Sequence, residues 1–500
     1  MPGLLLGPML RHVDAGQATV WLQTDAACEV EILGRRARTF RVCGLHFAIV
    51  VLEGLDPGSE HPYEVRLDGQ AVWPPPQAPF PPSAIRMPAQ GGARRLIFGS
   101  CPITRPHEPP HTLRGHEHRD GQGIDALRAY ALAVARAGAG GELPDLLLML
   151  GDQIYDDQPS PALRRTLASR PRPQDTPQDE LADFAEYALG YREAWSDPAV
   201  RWLLSTVPTA MVFDDHEIHA EWRISQGWIE EMYAQTWFER HIRCGLMAYW
   251  VFQHAGNLSP QELREDGLLD AITALEDGGE LLATRLSGAG RQRGHSRWSF
   301  ARDLGNARLV VIDSRAGREV TPGARELIGA PEWEWVREQT ERPAAHVLLA
   351  SSVPFLLAPG LHHGEAFDEA LTDGVWGRFA ARLGERARRR AVMDHWASFQ
   401  RSFRAFAALV DGLAHGRAGD APASILLLSG DVHHCYLAQA RLPGGGVHSP
   451  VWQAVCSGFR KELAPQERAI IALGHTRLAA ALLHRLARLA GSSPPVSSGG

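Results

Sequence analysis

Apolar positions along the first seventy residues come in short runs divided by turn residues. Residues 18–23, 28–33, 46–52 and 63–67 are rich in Val, Ile and aromatics. Asp14-Ala15-Gly16, Leu33-Gly34, Asp56-Pro57-Gly58 and Asp68-Gly69 separate them. Gly, Asp and Pro at such points favour the backbone angles that reverse a chain. No helical period is present, so residues 1–72 are expected to form a small antiparallel β-sandwich of the fibronectin or immunoglobulin kind. Residues 73–82 (WPPPQAPFPP) are too proline-rich for helix or sheet, and residues 73–93 are expected to be a stiff extended connector.

From Arg94 the pattern changes. Six apolar runs, at 96–98, 146–150, 210–213, 309–312, 346–350 and 425–428, are each short enough for a buried strand. Continuous apolar runs fit strands covered on both faces. Helical spacing intervenes at 124–137, 178–195, 228–252 and 395–413. Residues 94–490 are therefore expected to form one layered α/β domain, with function gathered where strand ends feed loops. Residues 258–294 read as a helical insertion, and 491–500 (GSSPPVSSGG) as a disordered tail.

Composition narrows the function. The 58 acidic residues outnumber 51 basic ones and no long basic run occurs, which argues against a dedicated nucleic-acid binder. Lys461 is the only lysine, a bias better explained by coding composition than by recruitment of Arg to phosphate. No run approaches the ~18 apolar residues of a membrane span. The first residues, MPGLLLGPMLRHVDAGQAT, lack the basic region and cleavage site of a signal peptide and carry no twin-arginine signal. The six cysteines contain no C-x-x-C pair, so buried free thiols are expected, with Cys28 and Cys43 pairing only on export. A cytoplasmic location is expected.

The polar residues that follow the apolar runs carry the chemistry. Four run ends supply metal-type ligands: Cys101; Asp152 with Tyr155, Asp156 and Asp157; Asp214, Asp215, His216 and Glu217; and Asp431, His433 and His434. Converging carboxylates repel one another unless cations lie between them. Carboxylate, imidazole, phenol and thiol together suit a Lewis-acidic transition metal, with a harder calcium-like ion on the all-oxygen part. Two such metals activate water and clamp an in-line displacement at phosphorus, and His216 is placed to protonate the leaving oxygen. Serines at run ends (Ser100, Ser351, Ser352, Ser429) are rivals, but none lies in G-x-S-x-G. No G-x-x-x-x-G-K-[ST] phosphate loop is present.

These stretches resemble a family. Phe98-Gly-Ser-Cys101, Leu150-Gly-Asp-Gln-Ile-Tyr155, Tyr191-Arg192, Val212-Phe-Asp-Asp-His-Glu217 and Leu428-Ser-Gly-Asp-Val-His433 are similar to the PhoD-like alkaline phosphatase (alkaline phosphatase D) branch of the calcineurin-like metallophosphoesterases. Asp313-Ser-Arg315, Ser352-Val-Pro354 and the leading sandwich fit as well. The resemblance implies a calcineurin-like α/β sandwich that hydrolyses phosphate mono- or diesters through metal-bound hydroxide, without a covalent intermediate. It implies iron held by Cys101, Asp152, Tyr155 and Asp431, with one or more calcium ions beside it; zinc or manganese are the substitutes. Asp152 would bridge two metals, Asp215 takes the place of the superfamily's Asn, and His216 falls at the general acid. Asp431 replaces the first His of Gly-His-x-His and His433 keeps the second. Glu221, in His219-Ala220-Glu221-Trp222, stands where the family carries a shorter ligand.

Arg192 and Arg315 are candidate phosphate clamps, since guanidinium binds phosphate oxygens bidentately. His107, His111, His116 and His118 fill a loop after Cys101, and His362-His363 are expected on a loop able to approach the metals. Trp222, Trp228 and Trp376 are more consistent with core packing than with a substrate floor. The partner expected is a small phosphate ester. A non-catalytic scaffold retaining the fold and a metallohydrolase of non-phosphate esters are the alternative readings.

Overall fold

Strict alternation within apolar strands builds the N-terminal domain and fastens it to the rest. The computed structural model describes every residue except 15, 90, 92–93, 139–142, 174, 287–296, 418, 493–496 and 500. Leu4–Asp14, Gln17–Thr24, Leu45–Glu53 and Phe40–Val42 form one antiparallel sheet in that order. Arg35–Arg38, Glu29–Ile32, Val65–Leu67 and Gln70–Trp73 form a second. Leu10, Val20, Leu22, Ala48 and Val50 share a core with Val30, Ile32, Val65 and Leu67 of the facing sheet. The intervening Met9, Trp21, Phe47 and Ile49 point the other way, into the main core of the chain. Side chains alternate across a strand, so the unbroken apolar run at 18–23 marks a sheet covered on both sides.

Trp21 is the clearest fastener. Its ring lies 5.4 Å from Phe252 and meets Trp195 edge-on at 6.5 Å. Trp21→Ala is expected to cost roughly 3–5 kcal/mol. In urea this should appear as a lower midpoint with one unfolding transition, because Met9, Phe47 and Ile49 still pack the sandwich into the main core. The proline-rich connector is also laid down rather than held away. Phe80 stacks on Trp202 at 5.6 Å, the Trp202 indole N–H donates to the Pro81 carbonyl at 2.8 Å, and the Tyr63 hydroxyl donates to the Ser205 carbonyl at 2.6 Å.

The six apolar runs after Arg94 divide equally between two sheets. Leu96–Gly99, Leu146–Met149 and Thr209–Met211 pair in parallel. Ala307–Ile312, His346–Ser351, Ser424–Ser429 and Val451–Val455 form the parallel centre of a seven-stranded sheet. Leu146, Leu148, Ala210 and Val212 meet Leu309, Val311, Leu348 and Ala350 between the sheets. Alternate residues on the large sheet, such as Ile312, Leu349 and Leu427, turn outward to Phe403, Phe406 and Val410 of helix Gln400–Ala414. Those on the small sheet, Leu147, Met149 and Met211, turn to the main core with helix Phe184–Trp195. This is an α/β sandwich, with candidate site residues supplied by both sheets.

Some expectations need revision. The helical period at 228–252 is two helices, Gln226–Tyr233 and Phe238–Tyr249, followed by a wide turn at Trp250–His254. The break carries no Gly or Pro; it brings Trp228, Trp237 and Phe238 around the His219 ring. The insertion contains Pro260–Asp266, Leu268–Thr273 and Gly279–Leu286, and its end falls outside the described residues. Within the tail expected to be disordered, 493–496 and 500 also lie outside them, but Ser497–Gly499 pair with Tyr436–Arg441 at the sheet edge. Edge pairing uses only backbone groups, so the Ser- and Gly-rich composition gave no sign of it.

Candidate metal centre

Four strand ends deliver the candidate ligands, and the backbone is bent sharply to present them. Cys101, Asp152, Asp431 and His433 have φ of +58°, +57°, +66° and +53°. Left-handed backbone costs an L-residue roughly 1–2 kcal/mol, and such strain gathers where side chains must be aimed. The preceding glycines have different duties. Gly151 lies at φ +104°, and a Cβ there would stand 2.4 Å from Asp214 Cβ. Gly430 makes room instead: its Cβ would stand 2.3 Å from Ser100 Oγ, the hydroxyl that accepts the Asp431 N–H at 2.9 Å. The turn after Gly430 is made by Asp431 itself.

The side chains converge. The Cys101 thiol donates to Asp152 Oδ2 at 3.3 Å and the Tyr155 hydroxyl to the same oxygen at 3.1 Å. Cys101, Asp152 and His433 place one ligand atom each within 4.8 Å of one another, as do Asp152, Asp214, Asp215 and Asp431. Two carboxylates at ~4 Å repel by about 4 kcal/mol at an effective dielectric of 20. One guanidinium, Arg315, faces three of them, bonding Asp214 through Nε and Asp431 through Nη2 at 2.9 Å, with Asp215 at 3.6 Å. Asp152 Oδ1 and Asp214 Oδ2 are buried without a hydrogen bond among the described residues.

The electrostatics agree. Burial and the adjacent Cys101 push the Asp152 carboxyl well up, against the opposing pull of His216. Burial and Asp431 raise the Cys101 thiol to about 11. Burial also opposes ionisation of Asp431, but Arg315, His395 and His433 outweigh it and hold that carboxyl low. Unfilled acceptor oxygens beside a reluctant thiol, phenol and carboxyl are what a Lewis-acidic cation would satisfy. The residues fit a metal.

His216 lies at the rim, its side chain 14% exposed, with Nδ1 bonded to Asp157 Oδ1 at 2.7 Å and its ring 4.3 Å from Tyr155. Burial opposes its protonation, yet Asp157, Asp152 and Asp215 together lift it to about 10. Its acidic chain neighbours are occupied differently. Asp214 and Glu217 form a capping box around the short turn Asp215–Glu217. Glu217 also accepts the backbone N–H groups of Asp152 and Gln153 at 3.2 and 2.6 Å, and the Gln253 amide at 3.1 Å. Gln253 in turn donates to the Tyr191 hydroxyl at 2.9 Å. Asp156 turns inward to His241 at 3.0 Å, whose two ring nitrogens also face the carbonyls of Leu181 and Ile218.

Several expected contributors are placed elsewhere. Arg315 is 1% exposed and its donors are taken by Asp214, Asp394 and Asp431; it orders the carboxylates, where a free phosphate clamp was expected. Arg192, on helix Phe184–Trp195, is half-buried, and among the described residues no polar contact joins it to the centre. Glu221 contributes its backbone N–H, donated to Asp215 Oδ2 at 2.8 Å, and its carboxylate is not among the converging groups. His111 and His118 bond within their own loop, His107 faces Asp197, and His116 is exposed. His362 and His363 sit on helix Pro359–Thr372, packed on Phe403 and His484, and not on a loop. His434 bonds the Val432 carbonyl. Trp222 and Trp228 are core, and Trp376 packs on Phe367 with half its surface exposed. Ser351 bonds the Val353 carbonyl and Ser352 bonds Ser314, so neither is set up as a nucleophile.

Other residues join the centre unannounced. His395 stands between Glu365, 2.6 Å from its Nδ1, and Asp431, 3.4 Å from its Nε2. Asp394 binds Arg315 and Arg318. The single lysine lies with its ammonium 4.7 Å from the centre of the Tyr155 ring and 2.8 Å from Gln158 Oε1. A histidine backing a ligand carboxylate fixes its orientation, and loss of such a partner typically weakens metal binding 10–100-fold. His395→Ala should therefore bind metal 10–100-fold more weakly, by titration into metal-stripped protein, with Cys101 and Tyr155 still in place.

Comparison with known proteins agrees with this geometry. A family model described as PhoD-like phosphatase matches residues 122–457, and a domain of unknown function, DUF7800, matches residues 1–85. No curated protein sequence matches. A solved structure of PhoD is similar at 15% identity, covering 91% of this chain and 77% of that one with a TM-score of 0.55. A purple acid phosphatase from yellow lupin seeds is 11% identical over 92% of this chain and 66% of that one, with a TM-score of 0.44. Family match and converging ligands together describe a metal-dependent phosphoesterase: the chain belongs to the PhoD-like phosphatase family.

Proposed function

We propose that this chain hydrolyses small phosphate mono- or diesters in the cytoplasm at an iron–calcium centre. Cys101, Asp152, Tyr155 and Asp431 would hold ferric iron, and Asp152, Asp215 and His433 would contribute to holding the second cation, calcium. The observation that carries this reading is the pair of buried, unbonded carboxylate oxygens on Asp152 and Asp214 beside a thiol and a phenol. Bound cations supply the Lewis acidity that activates water and withdraws charge from phosphoryl oxygens. The chain supplies the rest. Asp157 orients His216 through Nδ1, leaving Nε2 to donate a proton to the departing oxygen. Arg315 keeps Asp214, Asp394 and Asp431 together while the site turns over.

Phosphate, sulfate and carboxylate esters assayed side by side on one preparation, with its metals quantified, test the proposal. Hydrolysis should be confined to phosphate esters. A phenolate on ferric iron absorbs visible light, so the concentrated protein should be coloured and Tyr155→Phe should bleach or shift the band. A colourless, iron-free and fully active enzyme would transfer the site to zinc or manganese, and equal hydrolysis of sulfate esters would remove the phosphate assignment.

A further inference from the structure

Beyond the family match, which ends at residue 457, the chain continues into helices Pro465–Gly474 and Arg477–Leu489. The second lies on helix Pro359–Thr372, with Leu483 against Gly364, the His484 ring 4.6 Å from His363, and Ala487 fully buried. At 100° per residue, Leu478, Leu482, Arg485 and Leu489 fall within an arc of about 60° on the opposite side. That side is bare: Leu478, Leu482 and Leu489 are 81%, 57% and 66% exposed. Leu473 extends the apolar surface onto the preceding helix at 63%. Arg477 and Arg488 line one edge of the stripe, and neither they nor Arg485 have an ion-pair partner among the described residues. No Asp or Glu occurs after Glu467.

A contiguous apolar stripe with unpaired arginines needs a partner that is apolar below and anionic above. Pairing with a second copy across a two-fold axis would set arginine against arginine with no acid on this helix to relieve them. A bilayer rich in anionic lipid meets both demands. Leucines enter the acyl boundary while guanidinium groups meet phosphate at headgroup level. Thirteen residues span only ~20 Å, too short to cross a hydrocarbon core of ~30 Å, so such a helix lies in the interface plane. We propose that Arg477–Leu489 seats this protein on an anionic membrane surface. Helix Pro359–Thr372 joins that surface to the centre, since it carries Glu365 to His395. The same helix also packs Gly377–Ala391, whose Phe379 is 76% exposed among arginines.

Co-sedimentation of the full chain with vesicles tests this. Vesicles of equal parts phosphatidylcholine and phosphatidylglycerol should pellet the protein, and roughly 1 M salt, where the screening length is about 3 Å, should release it. Phosphatidylcholine alone should bind it about a hundredfold more weakly, since each of three arginines contributes about fivefold. Arg485→Gln with Arg488→Gln should weaken binding about twenty-five-fold, and Leu482→Ser about tenfold. Hydrolysis of soluble nitrophenyl phosphate by these variants should match the wild type, which verifies the fold. No pelleting with anionic vesicles would overturn the proposal, as would pelleting that ignores Leu482. A lipid-free dimer that Leu478→Ser and Leu482→Ser dissolve would instead assign the face to a second copy.

Discussion

Asp152→Asn should abolish turnover while leaving a folded protein. Asp152 belongs to three of the convergent groups: with Cys101 and His433, with Asp215 and His216, and with Asp214, Asp215 and Asp431. Asparagine keeps the shape, and the backbone N–H that Glu217 accepts remains. What is lost is the charge that binds cations, worth several kcal/mol in the transition state, so the rate should fall on the order of 10³-fold or more. The metal-free variant should unfold no earlier than metal-free wild type, because one carboxylate has left a repelling cluster. Metal analysis, turnover and thermal unfolding on one preparation check all three points. Wild-type metal content together with wild-type activity would move the centre elsewhere.

His216→Ala should discriminate between leaving groups. An alkoxide, with a pKa near that of water at ~15–16, needs a proton as it departs, whereas a nitrophenolate leaves without one. General acid catalysis is typically worth ~10²–10⁴-fold, so alkyl phosphate esters should slow by that factor and nitrophenyl esters far less. Most of the metal should remain, because Nδ1 is taken by Asp157 and the four-carboxylate group is untouched. As the ring also reaches Asp152 and Asp215, a matching loss of metal would make His216 a ligand instead. Equal losses on both substrate classes would reduce His216 to a brace for the Asp215–Glu217 turn.

Which parts of the site were legible in the chain follows from where the residues sit. Cys101, Asp152, Asp215 and Asp431 each stand shortly after an apolar run, and strand ends of a parallel sheet meet at one edge whatever the loops between them do. Asp394, His395 and Glu365 follow no strand. His395 opens the short turn Trp396–Ser398 and Glu365 lies inside helix Pro359–Thr372, so only packing in space brings them to Asp431. Arg192 and Arg315 were indistinguishable by residue type; burial separates them, because Arg315 has spent its donors on carboxylates. The runs also hid the number of sheets. An unbroken apolar strand reports cover on both faces without saying whether helix or sheet provides it. Coding bias explains the absence of other lysines and not where Lys461 stands, beside the Tyr155 ring.

The stacked path from the sandwich to the metal loop bears on how this protein can change. Trp21 touches Phe252, Phe252 stacks on Tyr191 at 4.4 Å, and Gln253 links Tyr191 to Glu217, which holds the Asp152 and Gln153 amides. The two family matches, 1–85 and 122–457, suggest parts that evolution or an engineer could exchange. In the folded molecule that seam is one aromatic core, in which Trp21 and Phe47 of the sandwich pack on Trp195, Phe184 and Phe252. Grafting another sandwich onto this hydrolase would require rewriting Met9, Trp21, Phe47 and Ile49 together with the helices they face, and a poor graft would be paid for in lost metal before lost structure. The unit of inheritance here is the sandwich together with the hydrolase domain, and the two can drift only in step.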